Sequence, residues 1–349
     1  SSGPTIASVL ALKQFVGDNM VNPSDIGYAC GGNVNYEFTA DGSGTQLAYV
    51  TAKHAFNRMK NTITPKPGKK HHTLPRNFVL IVDEAHFQSV ENSSLLYTAI
   101  HMINEHFPMK LVIASATLGD VDARGLRSDV VESVGRLHPI ETRWNDSHVD
   151  FEDIRELNAE LVAKVEFAIS AHPTSGILVF CHGENQIETL AKLFEDKNIP
   201  NTVISRLYSG LEEHEINEVL TALPVGTRRI VFATNIAESS ITIDGIDVVI
   251  DSGTHNVLYE DGIGTTLKLE RCNLDNLLQR KGRAGRQRPG YHYPLMTQHE
   301  WNYIPKCGLS DLKRVMPYSI VLELLDVELD PRKILGLEHS RYTKIVALL

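Results

Sequence analysis

The sequence contains no run of about 18 or more apolar residues, so no helix is expected to span a membrane. Its opening, SSGPTIASVLALKQF, lacks the basic start and unbroken apolar core of a secretory signal. Cysteine is scarce: Cys30, Cys181, Cys272 and Cys307 form no CxxC pair, which excludes a disulfide framework and a zinc site of the usual spacing. Reduced, structural thiols in a soluble, cytoplasmic chain are the expectation. Positive charge is in the minority, 34 Lys and Arg against 43 Asp and Glu, and the net charge of −9 supplies no global attraction for nucleic acid. A local groove can still be basic in an acidic protein. There is no initiator Met, and the turn-like Ser-Ser-Gly-Pro start leads us to expect a piece of something longer.

What is present fits two packed cores, since 349 residues with 42% hydrophobic and 22% charged side chains suffice for two ordinary domains. Short apolar, β-branched runs recur at 78–86 (FVLIVDEAH), 111–117 (LVIASAT), 176–182 (GILVFCH), 229–235 (RIVFATN) and 247–253 (DVVIDSG). Helical stretches separate them: ASVLALKQFVGDNM, IRELNAELVAKVEFAIS and ENQIETLAKLFED carry apolar residues three and four apart. This rhythm predicts βαβ units, with strands buried on both faces of a mainly parallel sheet and functional residues at the strand ends. The proline-rich, basic segment NTITPKPGKKHHTLP reads as an exposed loop. A break at HPIETRW places the lobe boundary near 143. The expected division is therefore 1–143, 144–300, and 301–349 as the start of a third, mostly helical segment.

Two clusters can carry chemistry. The run at 78 ends in Asp83 and Glu84, followed by Ala85 and His86. Adjacent carboxylates at a strand end can divide two tasks, one holding a divalent cation against phosphates and the other deprotonating a water. Taken alone, the tetrapeptide also fits an acidic loop. The second cluster is QRKGRAGR, Gln279 to Arg286. Arg283 and Arg286 are three apart on an expected helix, so that both forks face one phosphoryl group. The alternative is a solvated basic face, but two glycines there cost about 1 kcal/mol each relative to Ala. Close approach of another surface accounts for them better.

With these residues the chain resembles a superfamily 2 helicase of the DEAH type, a group spanning cellular DEAH-box RNA helicases and those of flavivirus-like RNA viruses. The resemblance covers nearly the whole chain in family order: Pro4-Thr5 (motif Ia), Tyr49-Val50-Thr51 (Ib), Asp83 to His86 (II), Ser115-Ala116-Thr117 (III), Val179 to Gly183 (IV), ATNIAESSITID from Ala233 to Asp244 (V) and Gln279 to Arg286 (VI). It implies two RecA-like α/β lobes, ATP or another NTP with Mg²⁺, and RNA, single-stranded or duplex, as partner. It also implies roles. Asp83 would hold Mg²⁺, Glu84 would be the base, Arg283 and Arg286 arginine fingers, and His86 and Gln279 would couple nucleotide state to lobe closure. Ser115 and Thr117 would link hydrolysis to movement. Thr5, Thr51 and Thr234 would contact the sugar-phosphate backbone, for which hydroxyls suit because they bind phosphates without reading bases. Glu238, Ser240 and Thr242 would face nucleotide and strand together. Each isolated hydroxyl also fits a turn or cap.

One departure stands out. The family's strand followed by GxxxxGK[ST], which cradles phosphates, has no counterpart: DGSGT at 41–45 lacks Lys, and PKPGKKHH has no strand before it. We expect the loop upstream, the first lobe truncated at its N-terminal side, and the exposed apolar surface to make the isolated chain aggregation-prone. DEAHFQS is nearer flavivirus-type enzymes, whereas ATNIAESSITI and QRKGRAGR are nearer the cellular spelling. An RNA-virus polyprotein, with other viral replication proteins as partners, is the favoured source, and a cellular gene is the alternative. The expected activity is an NTP-driven motor moving 3′ to 5′ on single-stranded RNA and opening duplexes. A non-hydrolysing RNA-binding module and a DNA translocase of the same superfamily remain as other readings.

Overall fold

The structure, a computed structural model, describes residues 26–30, 33–35, 45, 47–64, 74, 77–86, 88–115, 129–132, 138–238 and 242–349. The chain separates into two compact units, Ser1–Val130 with Tyr259–Thr265 and Leu309–Leu349, and Val131–Leu258 with Thr266–Gly308.

Among the described residues the first elements of the first unit are β1 (Ile26–Cys30), β2 (Asn33–Asn35) and β3 (Leu47–Val50), a small sheet ordered β2-β1-β3 with β1 and β3 parallel. Thr51 caps α1 (Ala52–Ile63), its hydroxyl accepting from the His54 amide. Next come β4 (Phe78–Val82), α2 (Val90–Asn104), capped by Ser89, and β5 (Met109–Ile113), parallel to β4. Along these two strands burial alternates rather than running continuously. Leu80, Leu111 and Ile113 pack into the core with α1 and α2, while Val79, Ile81 and Val112 are 52%, 58% and 46% exposed. This corrects the expectation of burial on both faces: among the described residues helices cover one side of the pair only, and a strand's successive side chains point to opposite faces.

The second unit holds a six-stranded, all-parallel sheet. Its elements in chain order are β6 (Ile140–Thr142), α3 (Ile154–Ala171), β7 (Gly176–Phe180), α4 (Glu184–Asp196), β8 (Thr202–Leu207), α5 (Glu213–Leu220), β9 (Arg228–Ala233) and β10 (Ile246–Asp251). A two-stranded hairpin follows, β11 (Thr254–Glu260) and β12 (Thr265–Arg271), of which Tyr259–Thr265 counts with the first unit, then α6 (Leu274–Gly282), β13 (Gly290–Pro294) and α7 (Gln298–Asn302). The sheet order is β6-β13-β10-β7-β9-β8. Here the continuous apolar runs do mean burial on both faces, β7 and β10 being buried at every position. Ile177, Val179, Ile230 and Phe232 meet Leu157, Leu161 and Val165 of α3 and Leu190 and Phe194 of α4. Leu178, Phe180, Val231 and Val249 face the other way, toward Val219 of α5 and Ala284. The buried positions of α3 recur every three or four residues, and Asp153 caps its first turn.

Two boundaries differ from the sequence expectation. The Ile140–Thr142 segment is a strand of the second sheet, paired with β13, so the second unit starts before 140 rather than at 144. After residue 308 the chain forms α8 (Asp311–Arg314), α9 (Tyr318–Leu325), α10 (Pro331–Leu335) and α11 (His339–Leu348). These are not a separate body: Leu312, Ile320, Val321, Leu324, Ile334 and Ile345 share the first unit's core with Phe56, Met59 and Leu95. Glu323 also bridges Lys53 and Lys60 of α1 at 2.6 and 3.0 Å. Among the described residues no helix is long and apolar enough to cross a membrane.

Candidate functional site

In the first unit the candidate residues sit where β4 and β5 end side by side. Past the last register pair, Val82 with Ile113, the Ala114 amide donates to the Val82 carbonyl at 2.9 Å and the Ala85 amide to the Ala114 carbonyl at 3.0 Å. These bonds hold the 83–86 turn against 114–115. Asp83 is exposed, and one of its oxygens accepts from the Glu84 amide at 2.9 Å. Glu84 adopts φ +52°, a left-handed conformation that costs a non-glycine residue on the order of 1–3 kcal/mol and is tolerated mainly where geometry serves a site. The imidazole of His86, only 7% exposed, spans the turn: Nδ1 lies 3.2 Å from Ser115 Oγ and Nε2 lies 3.3 Å from Glu84 Oε2. Four predicted residues, Asp83, Glu84, His86 and Ser115, are thus brought together. Thr51 is placed elsewhere in this unit, its hydroxyl occupied by the α1 cap. Thr5 and Thr117 lie outside the described residues.

The donor set suits a divalent cation of one kind. Among the described residues no group of three or more His, Cys, Asp or Glu could enclose a metal. Magnesium characteristically takes one or two carboxylates and completes its shell with water and substrate phosphate, and the solvent-facing Asp83 carboxylate fits that role.

In the second unit, Thr234 follows β9, and its amide donates to the Leu207 carbonyl at 3.0 Å. A 3-10 turn, Asn235–Glu238, leads to residues 239–241, which include Ser240 and lie outside the described set. Thr242 is exposed and accepts from Arg286 Nη1. The tails of the two motifs continue to pair: Gln287 Nε2 donates to Asp244 at 2.8 Å, and the Arg288 fork donates to both oxygens of Asp247.

Two expectations need correction. Helix α6 ends at Gly282 with Arg283 as its C-cap, so Arg286 lies beyond the helix and does not share a helical face with Arg283. It is Gln279, half-buried with its Nε2 unpaired, that lies one turn before Arg283. Of the two glycines, only Gly285 meets another surface. A Cβ there would stand 2.7 Å from the His138 carbonyl oxygen, whereas one at Gly282 would meet nothing within 4 Å.

Glu238 is the second correction. Expected to face nucleotide and strand, it is 1% exposed, with both oxygens engaged by Arg280 Nε at 2.7 Å and Asn276 Nδ2 at 2.9 Å. Arg280, wholly buried, also reaches Asp251 Oδ1 at 2.8 Å and the Thr254 carbonyl at 3.2 Å, and stacks 4.7 Å from the centre of the Phe180 ring. Burial raises the Glu238 carboxyl above its ordinary range despite Arg280. Burial acts against the charge of Asp251 too, but the Arg280 guanidinium outweighs it and holds that carboxyl below its ordinary range. Sequence reasoning passed over Arg280 and Asp251. A signal was present, because Leu277 and Arg280 lie three apart on one face of α6, and a buried arginine calls for carboxylates to pair with it.

Residues 157–288 match the family model of the helicase conserved C-terminal domain. The chain is 32% identical over 258 residues to the ATP-dependent RNA helicase HrpA homolog of Haemophilus influenzae, covering 72% of this chain and 19% of that protein. It is 30% identical over 264 residues to the ATP-dependent RNA helicase DHX33 of Mus musculus, covering 70% and 37%. To the pre-mRNA-splicing factor ATP-dependent RNA helicase prp22 of Schizosaccharomyces pombe it is 31% identical over 239 residues, covering 64% and 20%. The chain thus spans well under half the length of these relatives. Its fold matches the crystal structure of the Escherichia coli DExH-box NTPase HrpB at TM-score 0.74 and 23% identity, covering 96% of this chain and 40% of that one. These relatives are bacterial, fungal and mammalian, and lend no support to an RNA-virus polyprotein as the source. Residues 157–288 are thus similar to the helicase conserved C-terminal domain, and most of the chain is similar to part of ATP-dependent RNA helicases.

Proposed function

We propose that this chain belongs to an NTP-dependent RNA helicase that couples ATP hydrolysis to 3′ to 5′ movement along single-stranded RNA and to duplex opening. One observation carries the reading: His86 touches both Glu84 and Ser115 at the ends of two parallel strands. A carboxylate able to take a proton from water is there tied to a neighbouring strand end through one imidazole. In this reading Glu84 accepts the proton of the attacking water while the γ-phosphoryl bond to the diphosphate breaks. Asp83 holds Mg²⁺, which neutralises phosphate charge when bound. Arg283 and Arg286 donate to the phosphoryl oxygens, and Gln279 reports nucleotide state from the same helix as Arg283. Thr234 and Thr242 are the described candidates for RNA backbone contact. The relatives' names support ATP and RNA as the substrate classes.

A second reading has its own support. With no GxxxxGK[ST] among the 349 residues, the chain by itself would close on RNA without hydrolysis. The test is ATP hydrolysis with and without single-stranded RNA, on this chain and on a form extended upstream to include such a loop. RNA-stimulated hydrolysis by the extended form supports the motor. RNA binding by both forms with hydrolysis by neither supports the clamp and rejects the motor.

A further inference from the structure

Arg280 sits between the two residues of its helix that the hydrolytic reading uses, Gln279 and Arg283, yet it points inward. Its guanidinium is held in the plane by Glu238 from the 3-10 turn and Asp251 from the end of β10, and across the plane by the Phe180 ring at the end of β7. Three segments of the second unit therefore converge on one side chain. A planar fork with charge-assisted bonds on two sides and a ring beneath it has little rotational freedom.

Stability alone does not call for this cluster. Burying two carboxylates and a guanidinium is costly, and apolar side chains of similar volume would hold a helix at least as well. His292, also buried, brings Nε2 to 3.9 Å from Asp251 Oδ2. A cluster of charges this costly to bury is better explained by the geometry it imposes than by the energy it supplies.

We propose that Glu238 and Arg280 are positioning residues, a buried clamp that sets the rotation of helix α6 about its axis and so aims Gln279 and Arg283. The lever is short. Rotating a helix by about 10° moves a side-chain tip at a radius of about 6 Å by about 1 Å, and a misplacement of that size costs on the order of 100-fold in rate. Motif V then acts on motif VI through the interior of the unit, and Glu238 never meets the nucleotide.

The inference rests on the hydrolytic reading for its kinetic consequence but not for its structural one, so the test has two arms, both on the full-length protein that carries this chain. In the first, Glu238→Gln is expected to lower kcat for RNA-stimulated ATP hydrolysis by on the order of 10- to 100-fold, with KM for ATP within about twofold. In an Arg283→Ala background the same substitution should cause a clearly smaller loss, because the part of its effect that passes through Arg283 is already gone and only the part through Gln279 remains. In the second arm, amide exchange over 274–285 should rise in Glu238→Gln while the rest of the unit keeps its protection. Should Glu238→Gln fail to fold, Asn276→Ala removes only one of the bonds to Glu238 and should give the same signature at smaller amplitude. Equal losses of kcat in both backgrounds would overturn the proposal, and so would unchanged exchange over 274–285. If the wild-type protein hydrolyses no ATP, the catalytic reading fails, while the exchange arm still decides whether the clamp exists.

Discussion

Replacing Gly285 by alanine should destabilise the second unit, while the same change at Gly282 should not. The two glycines are three residues apart in one motif, so propensity alone would treat them alike. At Gly285 a Cβ would lie 2.7 Å from the His138 carbonyl oxygen and 2.7 and 2.8 Å from two side-chain carbons of Ile140. The obstacle is partly backbone and cannot swing aside. The His138 amide also donates to the Gly285 carbonyl at 2.9 Å, so relieving the clash means moving the start of β6 and weakening that bond. Overpacking of this kind costs about 1–3 kcal/mol, or roughly 2–4 °C of Tm per kcal/mol in a domain of this size. Gly282 is the last residue of α6 and has open space around it, so alanine there should be neutral or add up to about 1 kcal/mol. The assay is urea unfolding of both variants, comparing midpoints at unchanged slope. A Gly285→Ala protein as stable as the parent, or a Gly282→Ala protein weakened to the same degree, would refute the packing account.

Three further outcomes are expected. Glu84→Gln should lower RNA-stimulated ATP hydrolysis of the loop-containing protein by about 10²–10⁴-fold with RNA affinity unchanged, as a lost general base does; a rate close to wild type would remove Glu84 from the role of base. Burial holds His172, His182 and His292 below the ordinary value of 6.5, even though Asp251 opposes the shift at His292. Each is thus neutral when folded and takes up a proton more readily when unfolded, so stability is present above about pH 6.5 and is lost as pH falls toward the lower folded values. Urea midpoints followed from pH 7 downward should decline, less steeply in His292→Asn, and an unchanged slope in that variant would clear His292 of the effect. Finally, Ile81→Thr with Val112→Thr should reduce concentration-dependent light scattering and leave the unfolding free energy from urea titration within about 0.5 kcal/mol of the parent. A large loss of stability would mean that this apolar sheet face is covered in solution.

Much of the architecture can be read in the chain because burial leaves a periodic record. The unbroken apolar runs of β7, β9 and β10 and the three-and-four spacing along α3 announced a covered parallel sheet before any strand order was known. The same pattern misled at β4 and β5, where a continuous run stands on a pair covered from one side only among the described residues. Of the candidate residues, Asp83, Glu84, His86 and Ser115 were legible because each lies at the end of a recognisable strand, and parallel pairing alone brings such ends together. Glu238 was misplaced because its role depends on Arg280, 42 residues further along, and nothing local to ATNIAES records that return.

The sequence by itself determined strands β4, β5, β7, β9 and β10, helices α3 and α4 and the residues at those strand ends, which follow from local spacing, and its motifs carried the likeness to a helicase family. Only the tertiary structure decided that Arg280 enters the core between Glu238 and Asp251, that Arg286 rests on Thr242 beyond the end of its helix, that Gly285 rather than Gly282 is crowded, and that α8 to α11 complete the first unit's core. The reason is physical. Periodicity specifies which face of an element is buried, whereas the groups that meet there come from distant segments and are settled only when the chain packs.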